Sequence, residues 1–328
     1  MRIVKKIFYK LYKLGQYWEF EKVKYKTEYI MFVFSNKSTI FYNGPINNKK
    51  KKLFIKFNGI GGNISDSPHF LDEFRKDYNI IYLDLPGFGM SFNKNSNNQK
   101  NYSKDFWNKL MLILKDQNIN NFHIISNCFG SNLIINSLYN ILINARKNNN
   151  VDIILKLKKM INHIFILTPT EKKLIKFRRR LLFLSYFMML FKSIPSLRKI
   201  LLSLFEYKKY PLLNFHSLKN KKIQIINKRF YTLPFTLDPL MDVAVANSAV
   251  NFYNSLKMQF SEKSIQKKIL FLEQYFKMRT FYFLGDGLLK NNFEKNLIIK
   301  YEIEPDIFHF TFNRDGIFFK EKIIDKLK

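Results

Sequence analysis

The chain has 328 residues, an apolar share of 47% and one cysteine, enough for one large α/β core with an insertion or for two ordinary domains. A single cysteine excludes an intramolecular disulfide framework and fits a reducing compartment, cytoplasmic or organellar, with Cys128 left as a thiol. The formal charge of +31 ordinarily suggests nucleic acid, but the basic runs Lys49–Lys52 and Arg178–Arg180 are scattered rather than spaced along one helix. Abundant Lys, Asn, Ile, Phe and Tyr with scarce Gly, Ala and Pro is what an A+T-rich genome writes whatever the function, so no nucleic-acid partner is expected.

Residues 1–26 form a basic extension, free of acids before Glu19 and without the continuous apolar core of a secretory signal. Secretion is not expected; peripheral contact with an anionic membrane stays open. Thr27–Phe34 and Thr39–Tyr42 read as opening strands, and Leu53–Phe57 as a third that runs into Asn58-Gly59-Ile60-Gly61-Gly62. Three glycines in that loop permit close backbone approach and exposed N–H groups. Pro68–Lys76 has a helical apolar face, and Tyr78–Asp84 is a fourth strand leading into Asp84-Leu85-Pro86-Gly87-Phe88-Gly89-Met90-Ser91. Ser103 is placed to cap a helix reaching Lys115.

Phe122–Ser126 is then a short β-branched run, and from Gly130 the apolar residues Leu133, Ile134, Leu138, Ile141 and Leu142 recur at helical spacing. Only Asn127, Cys128 and Phe129 lie between. So tight a bend strains the residue at its apex and requires small neighbours two positions either side, which Ser126 and Gly130 are. After the polar spacer Asn148–Asn150, a helix from Val151 leads into a sixth strand, Ile161–Leu167. Strands alternating with helices imply a mostly parallel sheet with helices on both faces and ligands beyond the carboxyl ends of the strands.

From Glu171 to Met278 the strand rhythm stops, and Leu174–Ile194, Leu197–Tyr207, Pro239–Met258 and Lys263–Phe276 read as helices. Within this stretch Leu181–Phe191 is the longest apolar run, too short for a bilayer of about 30 Å, so no transmembrane helix is expected. Arg279–Leu284 restores a strand, followed by Gly285-Asp286-Gly287. Phe293–Lys295 reads as helical, Leu297–Ile303 as the last strand and Ile317–Leu327 as a closing helix. No metal cluster, phosphate loop or dinucleotide fingerprint is present, so neither cofactor nor metal is expected.

Ser126-Asn127-Cys128-Phe129-Gly130 resembles the nucleophile elbow of the α/β-hydrolase family, with Ser for the first Gly and Cys for the usual Ser. Asn58-Gly59-Ile60-Gly61 is similar to the family's His-Gly-x-Gly loop with Asn in place of His, and Asp84–Ser91 matches its D-x-x-G-x-G-x-S loop. The resemblance implies an α/β-hydrolase fold with core residues 27–170 and 279–328 and a helical cap, 171–278, inserted after strand 6. It also implies the order nucleophile, acid, histidine. His69 precedes Cys128, His123 and His163 lie at strand entrances, and His216 falls in the insertion. That leaves His309, in the loop after the last strand, as the base. Asp286 stands where the family's acid follows the penultimate strand, though its loop is two residues shorter than usual; Asp306 is the alternative.

The resemblance implies backbone N–H groups of Ile60 and Phe129 as the oxyanion hole, with Ser126, Gly130, Asn58, Gly59 and Gly61 as support. A Cys nucleophile, its ordinary pKa of about 8.5 lowered by an imidazolium and a helix N-terminus, suits thioesters and activated esters. The expected activity is hydrolysis or transfer of an apolar acyl group from a small ester or thioester through Cys128, His309 and Asp286. An Asp nucleophile, as in haloalkane or epoxide opening, is absent. The departures at Ser126, Cys128 and Asn58 keep a second reading open: a catalytically silent member of the fold that binds a small apolar ligand or a protein partner.

Overall fold

The computed structural model describes residues 29–33, 39–43, 52–57, 59, 77–83, 85, 102–116, 118–172, 174, 264–283, 289 and 293–304. Outside them lie the extension 1–26, most of the loop 84–91, the expected helices 68–76 and 317–327, and nearly all of the expected cap.

The β-branched and aromatic runs form eight strands: β1 (Tyr29–Val33), β2 (Thr39–Asn43), β3 (Leu53–Phe57), β4 (Asn79–Leu83), β5 (Phe122–Asn127), β6 (Ile161–Leu167), β7 (Lys277–Phe283) and β8 (Glu302–Glu304). They join in one sheet in the order β1-β2-β4-β3-β5-β6-β7-β8. The two pairings at the β1 edge are antiparallel, and the five from β4 to β8 are parallel. The strand order reverses at β3, whose neighbours are β4 on one side and β5 on the other. The loops leaving β3 and β5 therefore emerge side by side at the crevice where open parallel sheets bind ligands.

Among the described residues, four helices connect these strands: α1 (Tyr102–Asp116), α2 (Phe129–Lys147), α3 (Val151–Met160) and α4 (Ile265–Leu272). Their apolar faces join one cluster with one face of the sheet, in which Ile55, Ile81, Ile124, Ile164 and Ile166 meet Phe106, Leu110, Leu133, Ile134, Leu138, Ile269 and Leu272. Side chains turned to the other face, Phe54, Tyr82, Ile125, Phe165 and Phe281 among them, are equally buried. That two-sided burial is why these strands read as nearly continuous apolar runs. Lys56 is also buried on that second face, its ammonium 4.3 Å from the centroid of the Tyr82 ring.

Several boundaries differ from the sequence reading. α1 begins at Tyr102, so Ser103 lies inside its first turn rather than at the cap. The last strand is confined to Glu302–Glu304 instead of starting at Leu297, because the Ile298 N–H is taken by the Gln266 side chain at 2.8 Å. β7 begins at Lys277, two residues before Arg279, in register with His163. Asn150 caps α3 by accepting from the Ile153 N–H at 3.2 Å. α4, placed by sequence within the inserted stretch, packs against α2.

At the amino-terminal edge of the sheet, His123 stacks on Phe54 at 4.6 Å between ring centroids and on His163 at 5.2 Å. His123 is buried and its Nδ1 has no hydrogen-bond partner among the described residues. Burial first, then His163 and Lys52, lower its imidazole to about 4. The folded protein thus holds this ring neutral, whereas the unfolded chain protonates it near the ordinary value of about 6.5. Between those values the unfolded state binds more protons, so stability falls as pH drops from about 6.5 to about 4, by at most about 3 kcal/mol from this group. In urea unfolding, His123→Phe should lose less stability than wild type between about pH 7.5 and about pH 5. Equal losses would assign the acid sensitivity to other groups.

Candidate active site

β5 ends at Asn127 and α2 starts at Phe129, so Cys128 alone makes the turn from strand to helix. Its backbone sits at φ 54° and ψ −116°, a region that costs a non-glycine residue on the order of 1–3 kcal/mol and persists only when its surroundings over-determine it. Those surroundings are explicit. The Cys128 N–H donates to the Leu167 carbonyl on β6 at 2.9 Å, and the Asn132 N–H donates to the Cys128 carbonyl at 3.1 Å. The Ser131 hydroxyl lies 2.7 Å from the Ser126 carbonyl and 3.1 Å from that of Leu167. Ser126 is fully buried with its hydroxyl donating to the Phe165 carbonyl at 3.3 Å, and Gly130 is buried beside it.

The thiol itself is partly exposed and forms no disulfide. α2 has no acid in its first turn and carries Arg146 and Lys147 in its last, so its charge pattern leaves the positive end of the helix dipole at Cys128.

Gly59, two residues past β3, lies directly against the bend. A Cβ placed on it would be 3.0 Å from the Cys128 Cβ, 3.6 Å from Sγ and 3.7 Å from the Asn127 carbonyl oxygen. Glycine suits this close approach: a Cβ here would press on the Cys128 side chain, which would have to give by a few tenths of an ångström.

Beyond β6 the chain is pinned to both neighbours. Thr168, buried and at φ 44°, donates its N–H to the Phe281 carbonyl, and its hydroxyl accepts from the Phe283 N–H at 3.2 Å. A β-branched residue in the left-handed region is an outlier, here bonded twice to β7. Thr170 is clamped by the Asn132 carboxamide, which accepts from its N–H at 3.0 Å and donates to its carbonyl at 2.7 Å. Glu171, also buried, takes hydrogen bonds from the backbone and side chain of Gln266 at 3.4 and 3.3 Å. Tyr282 is buried against this corner, and burial first, then Glu171 and Tyr301, raises its phenol well above the usual range, so it stays neutral.

The structure therefore brings together Ser126, Cys128, Phe129, Gly130 and Gly59. Asn58, Ile60, Gly61, Asp286, Asp306 and His309 lie outside the described residues. Ser131, Asn132, Thr168 and Thr170 were not singled out by sequence, because their partners are in another strand or strand exit; the one available hint is two polar residues, Ser131 and Asn132, in a helix turn otherwise apolar.

Gly59→Ala is expected to force the Cys128 side chain or its own loop to move, lowering alkylation of Cys128 by a small thiol reagent by about tenfold and costing on the order of 1–3 kcal/mol in stability. Wild-type alkylation rates in folded Gly59→Ala protein would show that the close approach is unimportant to the thiol.

No family model matches the sequence, and no curated protein matches it. Solved structures do resemble it. An α/β-hydrolase enzyme from a Medee basin deep-sea metagenome library superposes with a TM-score of 0.53 at 14% identity, covering 91% of this chain and 94% of that one. The 2-hydroxy-6-oxo-6-phenylhexa-2,4-dienoate hydrolase of a Rhodococcus strain gives 0.58 at 12% identity, covering 92% and 99%. The Cif epoxide hydrolase of Acinetobacter nosocomialis gives 0.58 at 16% identity, covering 96% of each chain. With the strand order, the bend at Cys128 and the glycine packed against it, these likenesses give the chain the α/β-hydrolase fold.

Proposed function

We propose that the protein is a hydrolase of small carboxylic esters or thioesters that uses Cys128 as its nucleophile. The observation that carries this reading is the chain's one cysteine at the apex of a strained strand-to-helix turn, partly exposed, at the amino end of a helix buried along its first turns. Esterases and hydrolases among the structural neighbours support hydrolysis of a small-molecule ester. Among the described residues no helix is long and apolar enough to cross a membrane.

In this mechanism the Cys128 thiolate attacks the acyl carbonyl, and the backbone N–H groups of Phe129 and Ile60 receive the oxyanion, each donor contributing on the order of 3 kcal/mol. The tetrahedral adduct collapses to an S-acyl enzyme, and the His309 imidazolium protonates the departing alkoxide or thiolate. His309 then takes a proton from water, whose hydroxide attacks the thioester; the carboxylic acid leaves and the thiol returns. Asp286 holds the imidazole tautomer. An acceptor alcohol or thiol in place of that water would make the same enzyme an acyltransferase.

The stretch from Glu171 to the start of α4, the larger part of the expected cap 171–278, is assigned the role of roofing an apolar acyl pocket. The contact between Glu171 and Gln266 supports an insertion, since both ends of the stretch meet at one point. A basic surface resting on anionic lipid would place such an enzyme at a membrane, and salt-dependent binding to anionic vesicles tests that.

A panel of p-nitrophenyl esters and acyl thioesters, assayed with wild type and Cys128→Ala, decides the central point. Turnover by wild type should fall by at least about a thousandfold in Cys128→Ala. Alkylation by iodoacetamide should already be fast near about pH 6 and shift toward the ordinary thiol range in His309→Ala, while Asp286→Asn should lower kcat more than reactivity. An inert thiol with no turnover would favour the silent relative that binds an apolar ligand or a partner.

A further inference from the structure

Three small polar side chains, those of Ser131, Asn132 and Ser137, are buried in α2. Ser137 bonds back along its own helix, to the Leu133 carbonyl at 2.7 Å. Asn132 reaches across to Thr170. Ser131 spans the two strand ends that flank the bend, 2.7 Å from the Ser126 carbonyl on β5 and 3.1 Å from the Leu167 carbonyl on β6. Leu167 is the carbonyl to which the Cys128 N–H also donates. A hydroxyl has one proton, shared here between two carbonyl acceptors, one from each strand end.

We propose that Ser131 is a positioning residue for Cys128, an inference that rests on the reading of Cys128 as nucleophile. Its hydroxyl ties the carboxyl ends of β5 and β6 together at the point where the chain leaves β5. That tie keeps Cys128 in its left-handed backbone, with Sγ beside Gly59 and at the first turn of α2. Without it the strand ends can part, Cys128 can relax toward ordinary φ, and Sγ leaves the helix end that favours its thiolate.

The test compares the full chain as wild type, Ser131→Ala, Ser131→Thr and Ser137→Ala. Ser137→Ala is the control, because it removes a buried hydroxyl bond of the same 2.7 Å length from the same helix without touching the bend. The readouts are kcat and KM on an activated ester, the pH profile of iodoacetamide alkylation, and thermal melting. Ser131→Ala should lower kcat by about tenfold with KM little changed and move the alkylation midpoint up by about one pH unit. Ser137→Ala should match wild type in both, and Ser131→Thr, which keeps the hydroxyl, should keep the wild-type alkylation profile. Ser131→Ala indistinguishable from Ser137→Ala overturns the proposal; if Ser131→Ala fails to fold, Ser131→Thr against wild type still decides, since an alkylation midpoint raised by about one pH unit in the variant that keeps the hydroxyl overturns it as well. A wild-type Cys128 that alkylates as an ordinary thiol, or a Cys128→Ala protein that keeps its turnover, would instead remove the nucleophile itself.

Discussion

The backbone of Cys128 is the constraint from which the rest of this architecture follows. A left-handed residue between a strand and a helix reverses the chain within one position, and the reversal crowds everything around it. Ser126 and Gly130, two positions either side of the turn, are small and buried, and Gly59 brings the neighbouring loop within contact distance of the Cys128 Cβ. The strain, on the order of 1–3 kcal/mol, is offset by a few hydrogen bonds worth about 1 kcal/mol each, so no one of them suffices. Several fixed partners are needed, and β5 lies between β3 and β6, which supply them.

β6 contributes more than a neighbouring strand. Its last carbonyl accepts from both Cys128 and Ser131, its next residue bonds twice to β7, and Thr170 is clamped by a side chain from the first turn of α2. β5 with the bend at Cys128, the helix after it and β7 are thereby referenced to one short segment, 167–170. Thr168 in its left-handed conformation is the pivot of that segment. The loop after β7, where Asp286 lies in sequence, starts from a strand end whose Phe283 N–H is fixed by Thr168.

Much of this was legible in the sequence, and the reasons divide cleanly. The strands from β3 to β7 and the bend itself could be read because sheets buried on both faces write continuous apolar runs, and because a tight turn demands small residues at fixed offsets. Gly59 was legible as a glycine that permits close backbone approach, and the structure supplies what the sequence could not, the neighbour it approaches, Cys128. Ser131 and Asn132 were not legible, since their bonds run to residues up to 38 positions away and nothing local marks such partners. The early start assigned to the last strand failed where tertiary structure overrides propensity, because Ile298 gives its N–H to Gln266 and not to a neighbouring strand. Asp286 and His309 were named from family order along the chain, which carries no distance.

Sulfur at this bend changes what the remaining groups must do. A serine hydroxyl ionises far above neutral pH, so its attack depends on a base aligned at the moment of reaction. In the proposed mechanism the Cys128 thiolate, favoured by the amino end of α2, is formed before substrate arrives, and His309 is needed chiefly to protonate the leaving group and, later, to activate water. Thiolate leaving groups need little protonation help, whereas deacylation of the S-acyl enzyme still needs a well-placed base. Acylation by thioesters should therefore tolerate disturbance of the His309 and Asp286 side of the site better than deacylation does. In that mechanism the residues that fix the backbone of Cys128, by contrast, act on both half-reactions, since both would pass through a tetrahedral carbon on the same sulfur.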